Sequence, residues 1–265
     1  MKGISRLYLT FATKKLVFLN PIQIKQIMAD NSITLRIYLP DCEKTLMPVD
    51  DNGKSLNSLT MSSGSPGEES YIKSEVTDGK STTTKNFKVS IKDISFHKKM
   101  YSPNVITTTL HIAEKTTGTA KEEPPSKALV EKLFLNRRVE LFANKDTNLS
   151  VCNDYYIERI EPLYLKTELY LKLTIYSPDY QLTIEKNCKA YVAKTLSKII
   201  STQKDNYVLP YNNGAKVAIN LEPDSPRLQH IVKGGKEHIF PYLVQYNESY
   251  YDFLKRTTNR WGEFL

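Results

Sequence analysis

Alternation of apolar and polar positions dominates the first two-thirds of the chain. In 164–176, Leu165, Thr167, Leu169, Leu171, Leu173 and Ile175 fall on one face. Tyr164, Lys166, Glu168, Tyr170, Lys172, Thr174 and Tyr176 fall on the other. Side chains alternate across a strand, so this run predicts one long, half-buried strand. A second strand is predicted over 87–96, with a break in phase. Phe87, Val89 and Ile91 share a face, and Ile94 and Phe96 resume out of step. A bulge near Lys92-Asp93 restores the inward face. Tyr101-Ser102-Pro103-Asn104 reads as a turn, and the β-branched run 105–112 returns as the hairpin partner. Further strands are expected over 7–13, 32–39, 138–143, 155–160 and 207–209. Many short strands between turn signals predict a barrel or a sandwich.

The last third changes period. Over 186–200, Cys188, Tyr191, Val192, Leu196, Ile199 and Ile200 recur at helical spacing. Near the C-terminus Tyr246, Tyr250, Phe253, Leu254 and Trp261 do the same. Ser249 with Asp252 forms a capping-box pattern there, and Gly262 is placed to end the helix. A short helix is also expected over 126–134, after Pro124-Pro125. The segment 50–85 fits neither pattern. It has six Ser between Ser62 and Ser81, few apolar residues, and Gly53, Gly64, Gly67 and Gly79. Such composition does not repay its ordering entropy, so it reads as a long flexible insertion between strands. The stretch 116–125 reads as a smaller linker.

Length and charge narrow the class. At roughly 100–200 residues per domain, 265 residues make one large or two medium domains. No apolar run approaches the roughly 20 residues that span a bilayer. Lys14 and Lys15 interrupt the place where a signal peptide needs apolar sequence, so none is expected. Cys42, Cys152 and Cys188 are odd in number and far apart, which points away from a disulfide framework. A net charge of +8 divides into +5 over 1–130 and +3 over 131–265. Excess spread this evenly favours solubility rather than a nucleic-acid stripe.

Candidate chemistry is sparse. His97, His111, His230 and His238 show no metal-ligand spacing. The run 62–67 (SSGSPG) lacks the strand–turn–helix setting of a nucleophile elbow. Asp146, Asn148 and Ser150 imitate the start of a calcium loop, but Val151 and Ile157 stand where its Gly and Glu belong. The acidic pairs Asp50-Asp51, Glu68-Glu69 and Glu122-Glu123 sit in loop composition. No enzyme, cofactor or metal is therefore expected. Lys186, Lys189, Lys194 and Lys198 would share the outer face of the 186–200 helix, as a solvated face or as a basic surface. Seventeen tyrosines gather in the second half, from interface use or from compositional drift.

The segment 240–265, FPYLVQYNESYYDFLKRTTNRWGEFL, carries a resemblance. It resembles the hub region of VgrG spike proteins of type VI secretion systems and the related phage late-control D and baseplate-hub proteins. That family shows a strand ending in Gln-Tyr, an Asn-Glu-Ser step, an aromatic-rich Asp-Phe-Leu-x-Arg helix and a Gly-aromatic exit. The matching positions are Gln245, Tyr246, Asn247, Glu248, Ser249, Asp252, Phe253, Leu254, Arg256, Gly262 and Phe264. Thr257 and Asn259-Arg260-Trp261 depart from the pattern. The run 170–196 also looks like the family's barrel strand, loop and following helix, and the 87–112 hairpin like its N-terminal barrel.

The resemblance implies a β-rich α+β fold. A small β-barrel hub domain would occupy 1–185, with the flexible insertion at 50–85. The start of a second α+β domain would occupy 186–265, cut short at Leu265. It implies a structural protein of a contractile injection system, a homotrimer adapting the inner tube to the spike for effector delivery. Its partners would be the inner-tube protein, spike-tip and effector proteins and the baseplate. Assembly would be cytoplasmic, followed by secretion through the machine, without membrane insertion. The motif residues would serve as an interface. A phage tail hub is an alternative on the same residues. A basic β-barrel binding single-stranded nucleic acid is a third, and a steep salt dependence of binding would mark it.

Overall fold

Leu169, Leu171, Leu173 and Ile175 are wholly buried, and the residues between them lie on the opposite, more accessible face. The predicted alternation is thus real, but only over half of its run. A computed structural model describes residues 33–39, 46–50, 52–63, 70–78, 81–99, 101–114, 125–143, 150–165, 168–203, 206–211, 217 and 239–259. The strands are β1 (Ile33–Tyr38), β2 (Leu46–Val49), β3 (Ser58–Ser62), β4 (Ser70–Asp78), β5 (Ser81–His97), β6 (Val105–Glu114), β7 (Arg138–Ala143), β8 (Ser150–Leu165), β9 (Glu168–Tyr176), β10 (Lys186–Thr195) and β11 (Ile239–Ser249). The helices are α1 (Lys127–Phe134), α2 (Gln181–Ile184), α3 (Leu196–Gln203) and α4 (Tyr250–Asn259). The expected strand at 7–13 lies outside the described residues.

Nine strands form one antiparallel sheet in the order β2-β4-β5-β6-β9-β8-β7-β1-β3. Its two end strands, β2 and β3, are neighbours in sequence. Between them Leu56 N–H donates to Pro48 O at 2.9 Å, and Val49 bridges Ser55. The sheet therefore curls into a nearly closed barrel, and the protein is a β-rich α+β fold as expected. The connecting turn is set by Asp50, whose Oδ1 accepts from the Asn52 and Lys54 amides at 2.9 and 2.8 Å. Gly53 holds φ +77°, a conformation only glycine adopts without strain.

The bulge expected near Lys92-Asp93 is present: β5 shifts register against β6 between Ile91 and Asp93. Asp93 anchors it. Its carbonyl accepts from Thr108 Oγ1 at 2.7 Å and its carboxylate from the Thr109 amide at 3.0 Å. Further shifts interrupt β7–β8 and β8–β9. Bulges raise local twist, which lets strands as long as β5 and β8 follow a tight barrel.

Three expectations are corrected. The run 164–176 is not one strand: β8 ends at Leu165, β9 starts at Glu168, and these two residues pair. Pairing Tyr164 with Leu169 and Leu165 with Glu168 reverses parity, so Leu165 joins the outer face and is 51% exposed. The segment 50–85 is not a flexible insertion throughout, because its described parts form β3, β4 and the start of β5. Few apolar residues suffice there: Leu59, Met61 and Ile72 are buried, and nine residue pairs join β4 to β5. The segment 207–209 belongs to none of the strands.

Apolar residues gather into two clusters. The first fills the barrel with Leu35, Ile37, Leu59, Ile106, Leu110, Ile112, Val139, Ile157 and the β9 residues, all fully buried. Helix α1, found where expected, adds Val130, Leu133 and Phe134. Each such side chain contributes roughly 1.5–3 kcal/mol. On the outside of the barrel sits Glu140, only 8% exposed. Tyr38 OH donates to its Oε2 at 2.5 Å, Arg138 Nη2 lies 2.5 Å from Oε1, and Arg36 Nη1 lies 3.9 Å from Oε2.

The second cluster joins Leu182, Tyr191, Leu196, Ile199, Ile200, Tyr207, Val217, Leu243, Tyr250, Tyr251, Phe253 and Leu254. Gln181 Nε2 ties it to the barrel by donating to Tyr156 OH at 2.8 Å. Lys255 Nζ does the same, donating to Tyr101 O at 3.4 Å.

Candidate functional site

The sequence motif folds into a strand-to-helix corner. β11 runs to Ser249 and α4 starts at Tyr250, as the 3.6-residue spacing and the capping pattern require. Ser249 Oγ accepts from the Asp252 amide at 3.1 Å and donates to Asp252 Oδ2 at 2.7 Å. It satisfies one of the four amides that a helix N-terminus leaves unpaired, and Asp252 favourably faces the positive end of the helix dipole. Tyr246 belongs to β11, not to the helix, and Trp261, Gly262 and Phe264 lie outside the described residues.

Asn247 turns the strand. Between the pairs Lys189–Gln245 and Asn187–Glu248, both Tyr246 and Asn247 oppose the single residue Cys188. Asn247 takes φ +48°, a left-handed conformation that Asn tolerates better than most residues, and its amide donates to Cys188 Sγ at 3.3 Å. Gln245, 1% exposed, folds back to donate from Nε2 to Glu248 O at 3.0 Å.

Arg256 locks the two arms. Its Nη2 lies 2.5 Å from Glu248 Oε1 and donates to Val244 O at 2.8 Å, and its Nε donates to Glu248 Oε2 at 3.3 Å. The Glu248 hydrogen bonds raise the Arg256 pKa further, so the clamp stays charged. Phe253 and Leu254 are fully buried beneath it. Thus Gln245, Ser249, Phe253 and Leu254 build the corner from within, and Tyr246, at 78% exposed, faces outward.

The predicted helix over 186–200 is corrected. Residues 186–195 are β10, paired with β11, and the helix is confined to α3. Its Ala and Lys residues suit a helix, but β11 supplies a hydrogen-bond ladder that overrides this weak preference. Tyr191 turns inward at 8% exposed, and Val192 turns out at 58%. The four lysines do not form one helical face. Lys186 and Lys194 lie on β10, Lys198 on α3, and Lys189 Nζ donates to Gln203 Oε1 at 2.9 Å.

The tyrosines separate into two groups. Tyr155, Tyr156, Tyr191, Tyr207, Tyr250 and Tyr251 are buried, whereas Tyr242 and Tyr246 are exposed. Tyr207 stacks on Tyr250 with centroids 5.4 Å apart, and Tyr250 stacks on Phe253 at 5.9 Å. Sequence spacing did not single out Tyr207 or Leu243, because their partners lie far away in the chain.

Burial raises the Tyr191 and Tyr250 phenols and pushes Tyr207 and Tyr251 up to about 12. The unfolded phenols ionise near ~10, so the fold is favoured fully below that pH and less as pH rises toward the folded values. The urea midpoint is expected to fall between about pH 9 and about pH 11.5. The fall should be smaller in Tyr250→Phe, which also removes a buried hydroxyl that has no hydrogen-bond partner.

No catalytic grouping emerges at this corner. Among the described residues no three His, Cys, Asp or Glu side chains converge, and no helix is long and apolar enough to cross a membrane. His111 Nε2 lies 3.3 Å from Glu168 Oε2 under the Tyr170 ring, and His97 Nε2 lies 3.2 Å from Ser95 Oγ. His230 and His238 lie outside the described residues. Cys152 is buried and its thiol is pushed up to about 11 by that burial, whereas Cys188 is exposed.

Barrel-like sheet, capped corner and locking arginine together define a β-rich α+β protein whose motif residues are chiefly architectural. No family model and no curated protein matches the chain. Among solved structures, it is similar to an Escherichia coli protein described as a component of the type VI secretion system with structural similarity to T4 bacteriophage tail proteins. That likeness has a TM-score of 0.37 and 11% identity, over 63% of this chain and 41% of the other. A chain of a Francisella PdpA–VgrG complex is similar at a TM-score of 0.32 and 14% identity, over 88% of this chain and 26% of the other. The chain thus spans less than half the length of either, and likenesses this remote assign no function.

Proposed function

We propose that the chain is the N-terminal hub portion of a VgrG-like protein, a structural component of a contractile injection machine. The observation that carries this reading is the 245–256 run. Its resemblance to the hub family predicts a strand, an Asn-Glu-Ser step and an Arg-bearing helix, and these residues make such a corner, capped by Ser249 and locked by Arg256. It stands beside a nearly closed antiparallel barrel, the other element the resemblance implies.

In this reading, 1–185 forms the barrel domain and 186–265 begins a second. The two apolar clusters support that division, the first drawing on residues up to Ile175 and the second beginning at Leu182. The working form is a homotrimer that adapts the inner tube to the spike, with spike-tip, effector and baseplate proteins as partners. The motif residues contribute to its contacts by holding the corner in shape. It assembles in the cytoplasm, leaves through the machine and performs no catalysis. A phage tail hub would use the same residues in the same way.

The decisive measurement is the mass of the intact gene product in solution by light scattering. A trimer is expected. A monomer across the micromolar range would overturn the reading.

A further inference from the structure

The β10–β11 ribbon buries one face in the second cluster. Its other face is apolar and open. Val192 pairs with Tyr242 and Ala190 with Val244, and residues directly opposite each other share a face. Val192, Tyr242 and Tyr246 are 58%, 66% and 78% exposed. By the same two-residue period, Lys186 and Lys194 stand on this face at the two ends of β10, both exposed. They bracket the apolar strip at a spacing of roughly 26 Å. On β10 and β11 this face carries no carboxylate before Glu248, which Arg256 engages.

A ribbon of two strands is marginal by itself, and an exposed aromatic–aliphatic strip with a charged border has the make-up of an interface core and rim. We propose that this face docks a protein partner whose contacting surface is an apolar strip flanked at both ends by carboxylates. The charge pattern selects that occupant over a second copy of this chain, which would set lysine against lysine. Tyr242 and Tyr246 are the anchors, since Tyr offers a large apolar body and a polar tip at low entropic cost. The assignment stands independently of the hub reading.

The test uses the 265-residue chain and two fluorescein-labelled peptides of the same alternating apolar sequence, one ending in Asp and Glu, the other in lysines. Fluorescence anisotropy should show the acidic-ended peptide binding at least about tenfold tighter, with the preference shrinking as salt rises. The double variant Val192→Thr/Tyr242→Thr keeps β-compatible residues at exposed positions, so its melting curve should match the parent. Its peptide affinity should fall about tenfold or more. Lys186→Glu/Lys194→Glu should reverse the preference toward the lysine-ended peptide. Equal binding of both peptides, binding of neither, or affinity unchanged in the threonine variant would overturn the proposal. So would a dimer in light scattering that the threonine variant dissolves, which would make a second copy the occupant.

Discussion

Phe253→Ala is expected to destabilise the second cluster by about 3–5 kcal/mol, the largest effect of any single truncation in the corner. Phe253 is fully buried, and its ring meets Tyr191 at 5.3 Å and Tyr250 at 5.9 Å. Truncation leaves a void bounded by the tyrosine rings, α4 and β11. These elements cannot collapse into it freely, because Arg256 and Ser249 hold the corner's shape. The barrel has its own apolar cluster and should keep more of its stability. Hydrogen exchange under mild denaturant would show it: amides of β10, β11 and α4 should lose protection before those of β6 and β9. Uniform loss across both sets would mean that the clusters unfold as one unit.

Glu140→Ala is expected to cost about 3 kcal/mol, read from the urea midpoint at neutral pH. The Glu140 side chain is only 10% accessible and gathers Arg138, Arg36 and Tyr38. Removing it leaves two guanidinium groups and a hydroxyl close together without their shared acceptor. Asp154 takes part of the load, since its Oδ1 lies 2.8 Å from Arg138 Nε. Glu140→Gln keeps the volume and one acceptor, so it should cost less. The comparable Arg256→Ala should also cost less, because the Arg256 side chain is 38% accessible and water can replace part of its bonding. A Glu140→Ala effect below that of Arg256→Ala would mean that burial does not rank these two networks.

Legibility in the sequence followed the range of the interactions. The β5 bulge could be read because its signal, a slip of phase between Ile91 and Ile94, is written within one strand. The β11–α4 corner could be read because a cap acts over three residues, from Ser249 to Asp252. Helix α1 followed from its local period in the same way. The failures share the opposite property. In β10, apolar residues at helical spacing also satisfy a strand with one buried face, and the choice falls to β11, some 50 residues away. The 164–176 run alternates without interruption, yet the chain reverses within it and exchanges inside for outside.

The amino-acid sequence alone therefore determined a β-rich α+β chain, the bulged β5–β6 hairpin, the capped C-terminal helix and the family resemblance. The tertiary structure decided that the Ser- and Thr-rich 58–85 region forms sheet, because its backbone groups are satisfied by neighbouring strands rather than by its own side chains. It also decided which tyrosines are core and which face outward. Burial depends on what packs against a residue, and for Tyr250 that is Tyr207, while for Tyr242 the opposite residue, Val192, is itself exposed.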